Sequence, residues 1–336
     1  MNKVYRLWGM VNMLIISIGL FMVGCDSVSN EGETAVSPST QTSNNTLTLS
    51  NLSAAKLDGD LLHVVATTSI IGDVVAQVGG EKIALTTLIG AGQEPHSYEA
   101  GARELTAVAN AHVIFINGWD LEEGLVGDLT NIGEAVPIIP ISANIEPLSL
   151  DGSTHADPHV WFSIPNVKQW VNNVEQTLSD LDPANADAYK NNAAAYLIDL
   201  NALEADVIAT LATIPEEKRL LVTNHDSFSY FAHAYGFEIV GTVISGSSTL
   251  AEPSASSMVA LIETMEAHRI CVLFGETAVS STLAQTITAE LKGCEKVELL
   301  TLYTGTLGQS GSGADNYISM FRTNINTIIT GLADNQ

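Results

Sequence analysis

Basic side chains are scarce in this sequence. Its 336 residues hold 13 Lys and Arg against 38 Asp and Glu, a formal net charge of −25 at pH 7. Binding to nucleic acid or anionic lipid needs Lys and Arg to displace counterions, so this balance excludes DNA, RNA and acidic headgroups as partners. It raises the local concentration of cations, although solubility accounts for most of these carboxylates. Cysteine is also sparse, with 3 in all, one of them close to the N-terminus. Glycine and proline are missing altogether between Pro183 and Pro215. That gap leaves the stretch without the usual helix breakers. No histidine pair has the His-x-x-x-His helical spacing of a metallohydrolase beyond His155 and His159, which flank a loop rather than a helical pattern.

The N-terminus carries an export signal. Lys3 and Arg6 precede an apolar run from Leu7 to Val23 that ends in Gly24-Cys25. A basic start, a short apolar stretch and small residues at its end read as a secretory signal. The competing reading is a membrane span, since a bilayer needs about 20 apolar residues. Met22-Val23-Gly24-Cys25 resembles a bacterial lipobox with Met22 in place of the usual Leu, which makes Cys25 the acylated first residue of the mature chain. Asp26 resembles a signal for retention in the inner membrane of a two-membrane host. The mature chain keeps Cys271 and Cys294, an even pair in an oxidising compartment, on or beside neighbouring strands. They read as a disulfide, with two separate buried thiols as the alternative.

Residues 26–58 are rich in Ser, Thr and Asn without a sustained apolar period, and read as a flexible tether. Strand-like and helix-like patterns then alternate. Leu61–Thr67, Ile83–Ile89, Val113–Asn117 and Val136–Ile141 read as strands, with helices near Ile70–Val78 and Ala102–Ala109. In the stretch without Gly or Pro, Tyr189, Ala193, Leu197, Leu200, Leu203, Val207 and Leu211 recur at steps of three and four. That period predicts one helix of about 45 Å, long enough to span two lobes. Four further strands follow at Leu220–Thr223, Phe237–Val243, Ile270–Phe274 and Val297–Leu302, interleaved with helices near Phe228–Tyr235, Ala255–Ala267, Ser281–Leu291 and Asn316–Leu332. The expected fold is α/β: two lobes, each with a roughly four-stranded parallel sheet flanked by helices, joined by one long α-helix. The expected divisions are a signal peptide over 1–24, a lipid-attached tether over 25–58, an N-terminal lobe over 59–182, the linking helix over 183–215 and a C-terminal lobe over 216–336.

Three histidines stand where strands end. His96 lies in Gly92-Gln93-Glu94-Pro95-His96-Ser97-Tyr98, His159 in Asp157-Pro158-His159-Val160-Trp161, and His225 in Thr223-Asn224-His225-Asp226-Ser227. Open parallel sheets bind ligands beyond the carboxyl ends of their strands, so the three imidazoles are placed to converge on one ion between the lobes. Glu94, Asp157 and Asp226 are candidate acceptors that would orient an imidazole through its other nitrogen. His63, His112, His233 and His268 fall at strand starts or in helices and read as structural. His155 reads as a solvated loop residue.

These motifs resemble the zinc- and manganese-binding solute-binding lipoproteins of bacterial ABC importers. The resemblance covers about residues 62–333, and it also takes in Val65-Ala66-Thr67-Thr68-Ser69-Ile70-Ile71-Gly72-Asp73, Ile116-Asn117-Gly118 before Leu121-Glu122, and Ala251-Glu252-Pro253-Ser254-Ala255. It implies two α/β lobes on a rigid long helix, metal ligands at His96, His159 and His225, and delivery of the ion to a membrane permease by a monomer at the outer face of the cytoplasmic membrane. One departure is clear. The resemblance calls for a fourth ligand, an Asp, after the last strand, and this chain has Gly305 there. Water or Glu276 are the expected substitutes, and without the carboxylate zinc is favoured over manganese and binding is expected to be weaker. A zinc hydrolase and a surface adhesion lipoprotein are the competing functions.

Overall fold

The strands are apolar along most of their length, which marks sheets covered on both faces. The structure is a computed structural model that describes residues 46–125, 127, 129, 136–149 and 155–333. The signal peptide, Cys25 and the first part of the expected tether lie outside the described residues. In the first lobe, β1 (Leu62–Thr68) feeds α1 (Ser69–Gly79), followed by β2 (Ile83–Ile89), α2 (Ala102–Ala109), β3 (Val113–Ile116) and β4 (Ile138–Pro140). Thr68 caps α1, its Oγ1 accepting from the Ile71 N–H at 3.2 Å. All pairings are parallel, in the order β2-β1-β3-β4.

Two long helices follow. Helix α3 (Ile164–Leu181) buries Val167, Trp170, Val171, Val174, Leu178 and Leu181, and the longest helix, α4 (Ala186–Leu211), packs against it and α1. The second lobe repeats the plan with β5 (Leu220–His225), α5 (Ser229–Tyr235), β6 (Glu238–Ile244), α6 (Ala255–His268), β7 (Val272–Glu276), α7 (Thr282–Glu290), β8 (Glu298–Leu302) and α8 (Tyr317–Ala333). Its sheet has the parallel order β6-β5-β7-β8. Because α4 touches α1 and α3 on one side and α8 on the other, it spans the two lobes.

Three features differ from the sequence expectation. The linking helix has 26 residues rather than the full 183–215 stretch, because Pro183–Asn185 and Glu216–Lys218 form separate 3₁₀ turns. Its buried face includes Tyr196, which is 5% exposed, where the period pointed to the half-buried Leu197. The expected tether does not run free to residue 58. Leu49, Leu52, Ala55 and Leu57 pack against the core, the Asn144 N–H donates to the Leu47 carbonyl at 2.8 Å, and the Ala55 N–H donates to the Leu181 carbonyl at 2.8 Å. These apolar residues are too irregularly spaced to read as a period, yet they cover the edge of the lobe.

Cys271 and Cys294 are bridged, with Cα atoms 5.8 Å apart and 23 residues of separation. The bridge closes the segment holding β7 and α7. Closing a loop of that length removes about 3 kcal/mol of freedom from the unfolded chain. Replacing both cysteines with Ser should therefore lower unfolding stability by about 3 kcal/mol in a denaturant titration, with the metal site intact.

Candidate metal centre

Parallel strands bring their C-terminal ends to one edge, and the three imidazoles gather there. His225 is the last residue of β5 rather than a loop residue, and Glu276 is the last residue of β7. The register pairs Thr223 with Phe274, so two residues further on His225 and Glu276 stand side by side and face the same way. His96 sits in the turn after β2. Glu94 holds that turn by accepting from the backbone N–H groups of His96 at 3.1 Å and Ser97 at 2.8 Å. His159 precedes a 3₁₀ turn, Val160–Phe162, that leads into α3. Its approach is fixed by Asn117, whose Nδ2 donates to the Pro158 carbonyl at 2.9 Å, and by Tyr230, whose hydroxyl donates to the Asp157 carbonyl at 3.1 Å.

The Nε2 atoms of His96 and His159 are 3.3 Å apart, and those of His225 and His159 are 3.1 Å apart. One ligand atom from each ring lies within 4.8 Å of the others, and all three residues are buried. Zinc–nitrogen bonds of about 2.0–2.1 Å in a tetrahedron place neighbouring nitrogens about 3.3 Å apart. The spacings from His159 to His96 and to His225 fit two edges of such a tetrahedron. Two of the Nδ1 atoms bond a carboxylate, whereas that of His96 is buried with no hydrogen-bond partner among the described residues. Asp157 Oδ1 is 2.8 Å from that of His159, Glu276 Oε1 is hydrogen-bonded to that of His225, and Glu123 Oε1 stands 3.5 Å from that of His96. Carboxylates behind ligating imidazoles fix the tautomer that presents Nε2 and raise its basicity.

Burial holds the His96 imidazole down to about 3, aided by the charge of neighbouring His159. Burial likewise holds His159 well below the usual imidazole range. Both rings are neutral at pH 7 and free to donate a lone pair. At His225 burial also pushes down, but the Glu276 carboxylate, by charge and hydrogen bond, reverses the effect and raises its pKa. Glu276 feels burial pushing up and its His225 and Thr304 partners pulling down more strongly, so it stays ionised. Burial raises Asp157 to about 7 despite the hydrogen bond from the His159 backbone.

The structure thus brings His96, His159 and His225 together, and sorts the acids proposed around them. Asp157 orients the His159 ring, whereas Glu94 braces backbone. Asp226 accepts from Ser229 Oγ at 2.9 Å in the first turn of α5, and the acceptor on the His225 ring is Glu276. Glu276 Oε1 also takes the His225 N–H at 3.1 Å and Oε2 takes the Thr304 hydroxyl at 2.5 Å, so both oxygens are committed behind the ring. Glu123 and Thr304 are the contributors that sequence reasoning missed. Glu123 directly follows the Leu121-Glu122 motif, a proximity that marks it only once the turn after β3 is seen.

Comparison with known proteins settles the family. Residues 64–331 match the family described as ZnuA, zinc-uptake complex component A, periplasmic. The chain belongs to this family. Its members are the substrate-binding components of ABC metal importers, working with a membrane permease and an ATPase; they bind solute and are not enzymes. The chain is accordingly a metal-binding substrate-binding protein of this ZnuA group. It is 34% identical over 277 residues to the manganese-binding lipoprotein MntA of Halalkalibacterium halodurans, covering 82% of this chain and 90% of the relative. It is 35% identical over 289 residues to the MntA of Bacillus subtilis, covering 83% and 92%. The solved periplasmic zinc-binding protein TroA of Treponema pallidum superposes with a TM-score of 0.75 at 30% identity, covering 80% of this chain and 98% of TroA. The ZnuA-family fold, two lobes on parallel sheets, is therefore shared with TroA. Among the described residues no helix is long and apolar enough to cross a membrane.

Proton competition should be visible in metal affinity. A ligand imidazole must shed its proton, so affinity is flat above the raised pKa of His225 and falls as pH drops through it. The expected slope is about one proton per ion, or tenfold per pH unit, steepening toward about two where Asp157 also protonates. Glu276→Gln removes the group that raises His225, so its acid loss should begin at lower pH while affinity at pH 7.5 drops about 10–100-fold. Competition titrations against a chromogenic chelator from pH 5 to 8 measure both.

Proposed function

We propose that this protein captures zinc outside the cytoplasm and delivers it to an ABC permease, with His96, His159 and His225 as the ligands. The observation that carries the reading is the convergence of three buried Nε2 atoms at 3.3 and 3.1 Å, with the His159 and His225 rings each held by a carboxylate on the other nitrogen. Zinc is favoured because all three donors are imidazoles, while manganese favours oxygen-rich sites. Manganese is the second reading, motivated by relatives named for that metal. The protein acts as a monomer held at the outer face of the cytoplasmic membrane by acylated Cys25. The tight inter-lobe contacts and α4 favour small loop and lobe shifts on loading over a wide hinge motion.

The order of events follows from the residues. Two rings arrive neutral, and His225, whose pKa is raised by Glu276, is the ring at which a proton competes with the ion. Asp157 and Glu276 then offset part of the ion's charge without touching it. Release to the permease requires loosening one lobe's ligands from the other's, since His96 and His159 come from the first lobe and His225 from the second.

Metal analysis of protein purified without added metal should find close to one zinc per chain, retained against excess manganese. Recovery of manganese in preference to zinc would overturn the zinc assignment. His159→Ala should abolish binding, and an ion at 100 times its Kd should stabilise the wild-type fold by about 2.7 kcal/mol, read as a melting shift that a chelator reverses.

A further inference from the structure

Asp73 ends the run Val65–Asp73 that resembles the importer lipoproteins, yet its hydrogen-bond partners are Gln77 and Tyr317 rather than the imidazoles. It sits half-buried in the second turn of α1. Its Oδ2 accepts from the Tyr317 N–H at 2.8 Å, and Gln77 Nε2 steadies Oδ1 at 3.3 Å from one turn further along α1. Tyr317 is the first residue of α8, so a carboxylate of one lobe caps a helix of the other. Helix α8 does not need that cap. Asn316 Oδ1 accepts from the Ser319 N–H at 2.9 Å, and Ser319 Oγ accepts from the Asn316 N–H at 3.2 Å, which closes the first turn reciprocally. The Asp73 bond is a tie between lobes, not a requirement of the helix.

Tyr317 is held at its other end as well. Its hydroxyl donates to the Trp161 carbonyl at 2.8 Å, and the Trp161 ring lies edge-on to that of His159 with centroids 5.2 Å apart. Trp161 Nε1 in turn donates to the Thr304 carbonyl at 2.9 Å, and the Thr304 hydroxyl donates to Glu276 behind His225. A single residue of the second lobe thus links α1 to the supports of ligands from both lobes. The cross-lobe bonds of Leu307 and Gln309 end in a loop, which can follow a small shift. The Asp73 bond joins two helices, and packed helices move as units. The lobes cannot part at this seam while it stands.

We propose that Asp73 is a latch residue that sets the rate of metal release: its bond to the Tyr317 N–H holds the lobes closed on the ion, and the ion leaves when that bond breaks. The inference rests on the capture reading, in which ligands from both lobes share one ion. Asp73 acts through the seam between the lobes and not through the ligand set. Its loss therefore changes how fast the ion leaves, not how it is coordinated.

The test loads the full mature chain with one equivalent of zinc and chases it with excess chromogenic chelator in a stopped-flow instrument. Asp73→Ala should release zinc about tenfold faster than wild type, the change expected for loss of one charge-assisted hydrogen bond. Asp73→Asn keeps an oxygen acceptor without the charge and should fall between the two. Should the Ala variant fail to fold, a wild-type rate in Asp73→Asn overturns the latch. The visible bands of the cobalt(II)-loaded variants should match those of wild type, since the ligand set is untouched. Asn316→Ala removes the cap that α8 supplies for itself, and should lower the melting temperature while leaving the release rate alone. If Asp73→Ala holds one zinc and releases it at the wild-type rate, if its cobalt bands differ, or if Asn316→Ala speeds release as much, the latch fails while the capture reading stands. If the wild-type chain holds neither zinc nor cobalt, both fall.

Discussion

A buried imidazole has two nitrogens to satisfy, and that requirement organises the centre. Each of the three rings is almost wholly removed from water, at 1 to 2% exposure. Taking such a group out of water is costly unless its polar atoms find partners. Here Asp157 and Glu276 hold the Nδ1 side of two rings, while Glu123 stands 3.5 Å from the third without a hydrogen bond to it. The Nε2 side is thereby left pointing inward. The same carboxylates explain why three rings at such close range differ in protonation: burial wins at His96 and His159, and an adjacent ionised Glu276 wins at His225.

The lobes are joined by more than the long helix. The segment after β8 reaches across to the first lobe, where the Leu307 N–H donates to Ser69 Oγ at 2.9 Å and Gln309 Nε2 donates to the Ala91 carbonyl at 2.8 Å. Asp73 on α1 accepts from the Tyr317 N–H at 2.8 Å, at the start of α8, and the Tyr317 hydroxyl donates to the Trp161 carbonyl at 2.8 Å. Glu276 is part of this fabric through Thr304. The group that orients the second lobe's imidazole is therefore tied to the same loop that grips the first lobe. Rearranging the interface and disturbing His225 are one event, not two.

Much of this was legible in the order of residues. Alternating β-branched runs and helical periods predict parallel sheets, and parallel sheets put the residues after strands at one edge, which is why His96, His159 and His225 stood out. Asp157 was legible because it lies two residues from its partner. Glu276 could be suspected but not assigned: it lies 51 residues from His225, and their contact depends on β5 and β7 being neighbours in register. Strand order is a property of the assembled sheet. Helix α3 is not among the expected elements, although Pro165 opens it and its apolar residues recur at helical steps. The choice of Tyr196 over Leu197 for the buried face turns on helix rotation against α1, which a period alone leaves open to about one residue.

The strap over residues 47–57 has a geometric consequence. It meets the lobe at two ends. Ala55 bonds Leu181, at the finish of α3 and far along the chain from the site, while Leu47 bonds Asn144 and lies against Gly118, next to the Asn117 that holds Pro158. Traced backward from β1, the strap runs from its Ala55 contact at the end of α3 to its Leu47 contacts beside the Asn117 that holds the His159 turn. The strap thereby couples the far end of α3 to the rim that carries the imidazoles.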